Sequence, residues 1–202
     1  FDVTHARVIG TEKLLIWMAD DPELVRDIFQ TELDCSLKVL DMIWDEGYTF
    51  DAIFWCDDMG YRNGPFFSVD MYRQILKPVQ AQAIAWAHRK GIVAHLHSCG
   101  NINELVPELL DIGLDALNPL EVKAGMDPSQ LKRDFGDRLV LHGGLNAMLW
   151  DDIDKIEAEI RRLMPILKQS GGYIFQEDHS IPDSVSLDNY RRIVQIAREE
   201  GS

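Results

Sequence analysis

Hydrophobic residues in the first quarter of the chain recur with a helical period. Between residues 11 and 47 they fall near one stripe, at Leu24, Ile28, Leu37, Leu40 and Trp44. Asp21 and Pro22 are a typical pair of N-cap and first-turn proline. The pattern predicts two consecutive helices, the second of which begins near Pro22.

The rest of the chain alternates short strand-like runs with helical runs. Five apolar runs predict buried strands: DAIFWCDD (51–58), GIVAHLHSC (91–99), LDALNPLE (114–121), RLVLHGGL (138–145) and YIFQEDH (173–179). In the helical runs between and after them, Ser68 and Ser186 are predicted caps and Pro78 a predicted kink or restart. Because parallel strands need crossover helices, this alternation predicts a parallel α/β sheet.

Polar residues end each predicted strand. They are Asp57 and Asp58, His97 and Cys99, Asn118 and Glu121, His142, and finally Glu177, Asp178 and His179. Open nucleotide-binding sheets usually carry a glycine-rich phosphate loop, and neither GxGxxG nor GxxxxGK[ST] occurs in this sequence. Polar side chains that converge from the C-terminal ends of many strands are typical of a TIM barrel, so we predict an α/β fold of the (β/α)8 type.

Five strands are too few to close an eight-stranded barrel, whose usual length is about 250 residues. We therefore expect residues 1–202 to form a single barrel domain that lacks its N-terminal strands. The alternative is a smaller relative that closes its open edge by forming a homodimer.

Composition and charge narrow the functional classes. The chain has 34 acidic and 20 basic residues, and its formal charge of -14 repels nucleic acid phosphates and anionic lipids. No apolar run reaches the roughly 20 residues needed to cross a bilayer, and the start lacks the features of a signal peptide. Three cysteines do not suit a disulfide framework. We expect a cytoplasmic protein that acts on a small molecule and binds neither nucleic acid nor membrane.

His97 and Cys99 are the strongest candidates for chemistry. They lie two positions apart on a predicted strand, so their side chains project to the same side and can bind one ion, such as zinc. His179, at the end of the last predicted strand, is the candidate third ligand by position. His95 lies one step deeper and is expected to pack or to support a ligand. The alternative is a hydrogen-bonded imidazole and a small buried thiol without metal.

Acidic residues supply further candidates. Asp57 and Asp58 are adjacent, so at most one is expected to face the barrel mouth as a general acid or base while the other braces the loop. Glu177 and Asp178 form a charged run that is typical of a solvated surface.

Other residues are candidates for substrate contact or for the core. Tyr61 and Arg62 are candidates for binding a carboxylate or phosphate, and Asn118, Glu121 and His142 are candidate substrate contacts because they end strands. Cys35 and Cys56 are expected in the core.

Several long runs resemble the uroporphyrinogen decarboxylase superfamily, whose members are TIM barrels. They are DDMGYRNGPFFSVDMYRQILKP (57–78), HLHSCGNINELVPELLDIGLDALNPLE (95–121), MDPSQLKRDFGDRLVLHGGLN (126–146) and GGYIFQEDHSIPDSVSLDNY (171–190). The resemblance covers nearly the whole chain and corresponds to the middle and C-terminal parts of the family domain. His97, Cys99 and Gly100 match the HxCG motif of the corrinoid-dependent methyltransferase branch, in which this motif and a late cysteine hold zinc.

The resemblance implies one leading function and leaves two alternatives. The leading hypothesis is a zinc-dependent methyl transfer that involves a corrinoid carried by a partner protein and a small donor or thiol acceptor. This chain has His179 where those methyltransferases have the late cysteine, which favours a His97, Cys99 and His179 site. The first alternative is decarboxylation of uroporphyrinogen, in which His179 and an acidic group handle the carboxylated side chains. The second is a non-catalytic barrel fragment that binds a ligand or partner.

Overall fold

Seven strands and eight α-helices make up the computed structural model, which describes all residues from 1 to 202. The strands are β1 (Ala52–Cys56), β2 (Gly60–Tyr61), β3 (Gly64–Pro65), β4 (Val93–His97), β5 (Ala116–Asn118), β6 (Val140–His142) and β7 (Tyr173–Ile174). A parallel sheet has the strand order β1-β4-β5-β6-β7, and β2 pairs antiparallel with β3. The predicted α/β fold with five parallel strands is confirmed.

The helices connect the parallel strands and cover one face of the sheet. They are α1 (Thr11–Asp20), α2 (Pro22–Asp45), α3 (Val69–Met71), α4 (Lys77–Lys90), α5 (Val106–Asp111), α6 (Pro128–Phe135), α7 (Ile153–Leu167) and α8 (Leu187–Gly201). The predicted caps form, because Asp21, Ser68 and Ser186 accept backbone N–H groups of their first turns. Near Pro78 the chain passes from a π-helical turn (Tyr72–Leu76) into α4, so the predicted restart is present.

The two faces of the sheet differ in chemistry. On β4, Ala94 and Leu96 are fully buried toward the helices, whereas His95 and His97 alternate with them and lie half-buried on the concave face. The core therefore sits between sheet and helices, and the concave face carries imidazoles. This arrangement places the polar strand ends at one rim of the sheet.

The outer edge of β1 is open. A groove of about 750 Å³ runs along it between α2 and α4, and most of its lining is hydrophobic. Phe54 on β1 is 54% exposed. Cys35 and Cys56, which we expected in the core, are exposed and line this groove. The expectation was wrong because strand and helix patterns show which residues are apolar but not that this edge lacks a neighbour.

No helix in the structure is both long enough and apolar enough to cross a membrane.

An ion-pair cluster on the outer helices gives a prediction for stability. Glu108 on α5 accepts from Arg73 at 2.6 Å and from Lys77 at 2.7 Å, and these two cations lower the pKa of its carboxyl to about 2 from 4.5. A lowered folded-state pKa stabilises the protein above the unfolded value, and the contribution is lost as the pH falls toward 2. Glu108→Gln should lower the free energy of unfolding by about 1 kcal/mol at neutral pH and by less in acid.

Urea titrations at neutral and at acidic pH measure this difference. Glu104→Gln is the matched control, because Glu104 lies on the same segment, is exposed and forms no ion pair. An equal loss in both variants, or a Glu108→Gln effect that grows in acid, contradicts the prediction.

Candidate metal centre

Three potential metal ligands meet at the C-terminal end of β4. The ligand atoms of Asp58, His97 and Cys99 all lie within 4.8 Å of one another, and all three side chains are partly buried. His97 Nε2 lies 3.3 Å from Cys99 Sγ and 3.5 Å from Asp58 Oδ1. The cluster thus offers one nitrogen, one sulfur and one oxygen to a common point.

Strand register explains why Asp58 joins the pair. Cys56 on β1 is aligned with His97 on β4, and the Asp57 N–H donates to the His97 carbonyl at 2.8 Å, so the two chains continue side by side past their strands. Asp58 therefore lies level with Cys99. Its carboxylate accepts the Cys99 N–H at 2.8 Å, which fixes the backbone from which the thiol projects.

The loop that carries Cys99 packs directly on the β2–β3 hairpin. Gly100 has φ +82°, and a Cβ at this position would lie 2.1 Å from the Gly60 carbonyl carbon. The Gly100 N–H donates to Glu121 Oε2 at 2.7 Å, and the Asn101 N–H donates to the Tyr61 carbonyl at 2.8 Å. Only glycine combines this backbone conformation with so close an approach, so the motif HxCG has a steric reason here.

His97 is held by a residue of the neighbouring strand. Asn118 on β5 is aligned with His97, and its Oδ1 lies 2.6 Å from His97 Nδ1. Since the oxygen can only accept, this hydrogen bond requires a proton on Nδ1, and in the neutral ring Nε2 then has the lone pair. That lone pair faces Cys99 and Asp58, which is the orientation that metal binding requires.

The concave face near the cluster favours neutral imidazoles and disfavours a free thiolate. Burial, followed by the neighbouring imidazoles of His142 and His97, lowers the pKa of His95 to about 4. Burial likewise lowers the pKa of His142, whose Nδ1 lies 3.3 Å from His95 Nε2. Burial and then the charges of Asp58 and Glu121 raise the pKa of Cys99 to about 12. Without a cation, Cys99 is therefore held as a thiol, and the imidazoles of His95 and His142 are held uncharged.

The donor set fits zinc. Catalytic zinc sites commonly use three protein ligands drawn from His, Cys and carboxylate and leave a fourth position for a water or substrate. Asp58, His97 and Cys99 supply three donors of these types, and their partly buried side chains leave one side accessible. The second hydrogen bond of His97, to Asn118, is also typical of a zinc-bound imidazole.

His179, the predicted third ligand, lies outside this cluster. Its side chain is exposed after β7, and Asp58 occupies the place that we assigned to it. The zinc and catalytic roles of His179 therefore stay predictions that the geometry does not favour.

The side chains of Asp57 and Asp58 point in different directions, as expected for adjacent residues. Asp58 faces the cluster, whereas Asp57 is 5% exposed and accepts from Gln80 Nε2 at 2.7 Å and Trp55 Nε1 at 3.2 Å. Asp57 thus braces the start of the loop after β1. Its predicted role as a catalytic acid or base stays untested.

The predicted substrate contacts lie around the same rim. Tyr61 and Arg62 are exposed on the β2–β3 hairpin, where the Tyr61 ring stacks on Phe66 at 5.5 Å. Glu121 holds the Gly100 N–H and lies 3.5 Å from Lys123 Nζ. His142 lies on β6 beside β5 and faces His95. Contact of these residues with a substrate stays a prediction.

The prediction that Asp178 lies on a solvated surface is wrong. The residue is 1% exposed rather than solvated, and its carboxylate accepts the N–H groups of Val122 and Ala147 at 2.8 Å each. It ties together the loops that follow β5 and β6. The charged run around Asp178 gave no signal of this, because the two N–H donors come from distant parts of the chain.

Curated proteins that are similar to this chain include enzymes of two groups. MtaA, a methylcobamide:CoM methyltransferase of Methanosarcina barkeri, is 24% identical over 196 residues, which are 96% of this chain and 54% of that protein. A uroporphyrinogen decarboxylase of Chlorobium chlorochromatii is 25% identical over 187 residues, which are 89% of this chain and 49% of that protein. The chain spans about half the length of these curated relatives.

A solved structure and a family model agree with these matches. The structure of a methyltransferase from Methanosarcina mazei superposes with a TM-score of 0.73 at 22% identity, covering 96% of this chain and 55% of that one. The likeness supports the barrel-type fold. The model of the family described as uroporphyrinogen decarboxylase (URO-D) matches residues 4–200. Since this match covers nearly every residue, the chain belongs to the uroporphyrinogen decarboxylase family.

Proposed function

We propose that this protein takes part in zinc-dependent methyl transfer between a corrinoid methyl carrier and a small thiol. The observation that carries the proposal is the cluster of Asp58, His97 and Cys99 at the C-terminal rim of the sheet. Its mixed nitrogen, sulfur and oxygen donors suit a catalytic zinc. MtaA of Methanosarcina barkeri is named for transfer from a methylcobamide to CoM, and we extend that reaction type to this chain.

Zinc bound here would supply Lewis acidity, which makes a bound thiol more acidic and therefore a better nucleophile at neutral pH. The residues of the chain would bind the ion and keep the donors in place. Asp58 and Glu121 fix the Cys99–Gly100 backbone through its N–H groups, at 2.8 and 2.7 Å. The partial burial of the three ligands would limit the access of water to the sulfur of the bound thiol substrate.

The methyl donor is proposed to arrive on a separate corrinoid protein. The corrinoid would approach the rim from outside with its methyl group toward the thiol. The exposed hairpin residues Tyr61 and Arg62 border this approach and are the proposed contacts for partner or substrate.

A methyl-transfer assay tests the proposal. The zinc-loaded protein, methylcobalamin and a panel of small thiols that includes coenzyme M are incubated without oxygen, and the thioether product is quantified. We expect thioether above the level given by metal-free protein. Consumption of uroporphyrinogen by metal-free protein, with no thioether formed, would instead support the decarboxylase alternative and overturn the proposal.

The five-stranded sheet is proposed to be part of a larger barrel whose remaining strands pack on the outer edge of β1. Three observations support this. The edge is unpaired, the groove beside it is lined mostly by apolar residues, and the curated relatives are about twice as long. An eight-stranded barrel requires further strands between β7 and β1. In the alternative of a non-catalytic barrel fragment, a ligand or partner would bind in this same groove.

Thiol reactivity tests the state of this groove. Because Cys35 and Cys56 line it and are exposed, both should react with a maleimide in the 202-residue chain, and the chain should also bind a hydrophobic dye. Cys56 should react more slowly than Cys35, because burial and nearby carboxylates raise the pKa of its thiol. Protected thiols in a dimer, measured by light scattering, would favour closure by a second copy. Protected thiols in a monomer would contradict an open edge altogether.

A further inference from the structure

We infer that Asn118 is a positioning residue that decides which nitrogen of His97 binds metal. This inference deepens the proposed function, because it concerns the same site. It assigns Asn118 a role other than the substrate contact that its strand-end position suggested. A chain of hydrogen bonds joins the His142 carbonyl to the Asn118 amide, the amide to the His97 imidazole, and the imidazole to Cys99.

The backbone of β6 sets the orientation of the Asn118 amide. Asn118 Nδ2 donates to the His142 carbonyl oxygen at 3.2 Å. A carbonyl oxygen accepts only, so the NH2 group and not the amide oxygen must face it. Asn118 is 3% exposed, and the Ser98 N–H donates to its main-chain carbonyl at 2.8 Å, so the residue is held on both its side chain and its backbone.

The oriented amide then sets the tautomer of His97. With Nδ2 committed to His142, the amide oxygen faces His97 Nδ1 at 2.6 Å. That contact is a hydrogen bond only if Nδ1 carries a proton, and the neutral ring then has its lone pair on Nε2. Cys99 Sγ lies 3.3 Å from Nε2, where its S–H donates to that lone pair in the metal-free protein.

The hydrogen bonds of Asn118, and not His97 itself, therefore determine that Nε2 is the atom available to a metal. If Nε2 carried the proton instead, it would face the Cys99 thiol and any bound cation with an N–H group. Metal binding at Nε2 would then first require this proton to move to Nδ1. Removal of the residue that holds a metal-bound histidine typically lowers metal affinity by about 10–100-fold. We expect a loss of about this size when Asn118 is replaced.

Two variants of similar size separate positioning from packing. Asn118→Leu removes both hydrogen bonds, and we expect zinc affinity, measured by competition with a chromophoric chelator, to fall by about 10–100-fold. Asn118→Asp keeps an acceptor for Nδ1 but loses the donor to His142, so it should cost stability while it retains affinity to within about 10-fold. Asn189→Leu is the control. Asn189 Nδ2 donates a similar hydrogen bond to the Asp151 carbonyl at 3.0 Å, but this bond is exposed and does not involve the cluster.

The direct readout is the tautomer of His97 in metal-free protein, from imidazole ¹⁵N chemical shifts. We expect protonated Nδ1 in the wild type and in Asn189→Leu, and a mixture with protonated Nε2 in Asn118→Leu. Protonated Nε2 in the wild type overturns the inference, as does an equal loss of affinity in the Leu and Asp variants. The tautomer is measured without metal, so its result does not depend on zinc binding. Zinc binding by the wild type is a separate measurement, and it tests the proposed function.

Discussion

Cys99→Ser is expected to lose zinc binding almost completely, with a fall in affinity of more than about 100-fold, beyond what the loss of a supporting hydrogen bond causes. Cys99 supplies the single sulfur of the cluster, and zinc binds thiolate far better than a serine hydroxyl. The chelator competition that measures Asn118 variants measures this change as well. The fold should persist, because the Cys99 N–H that holds the loop to Asp58 at 2.8 Å is retained in the serine variant.

Cys35→Ser is the matched control for the loss of a thiol. Cys35 is exposed on α2 and lies outside the cluster, so its replacement should leave zinc affinity unchanged. If Cys99→Ser retains wild-type affinity, the sulfur is not a ligand and the proposed centre is wrong. If Cys35→Ser loses zinc as well, binding to scattered surface thiols explains the metal.

Gly100→Ala is expected to be the most damaging single methyl addition near the site. Its Cβ would lie 2.1 and 2.4 Å from the carbonyl carbon and oxygen of Gly60, and φ is +82°. The colliding atoms are backbone, so the Cys99 loop and the β2–β3 hairpin must separate. We expect a loss of about 3 kcal/mol or more in the free energy of unfolding. The folded fraction of Gly100→Ala should bind zinc weakly, because Cys99 is displaced with its loop.

Gly91→Ala isolates the steric part of this effect. Gly91 has a similar φ of +73° but no atom within 4 Å of an added Cβ. Its replacement should cost about 1 kcal/mol, the penalty for a left-handed backbone alone. Urea unfolding of both variants gives the comparison. Equal losses would mean that the close approach of Gly60 and Gly100 is relieved without cost.

Local sequence signals predicted the elements of this fold well. Asp21, Ser68 and Ser186 cap helices where their side chains indicated, because capping depends on residues only three positions away. The alternation of strands and helices likewise predicted the parallel sheet, since few other topologies accommodate it. The last strand is shorter than its run predicted, with Tyr173–Ile174 followed by a bridge between Leu145 and Glu177.

The candidate site was only half predictable, for a physical reason. The pair of His97 and Cys99 follows from the two-residue period of a single strand, which the sequence contains. The association of Asp58 and Asn118 with that pair depends on register between strands, which is fixed by packing across the whole sheet. The prediction of His179 as a ligand assumes that all strand ends reach one point, but its side chain is exposed after β7.

Zinc-edge X-ray absorption of protein purified without added metal tests the central claim most directly. The cluster of Asp58, His97 and Cys99 predicts close to one zinc per chain, with one sulfur ligand at about 2.3 Å and nitrogen or oxygen ligands at about 2.0–2.1 Å. The sulfur signal should vanish in Cys99→Ser. Protein that is free of zinc after purification and after incubation with zinc, or zinc with no sulfur ligand, would contradict a metal centre at this rim.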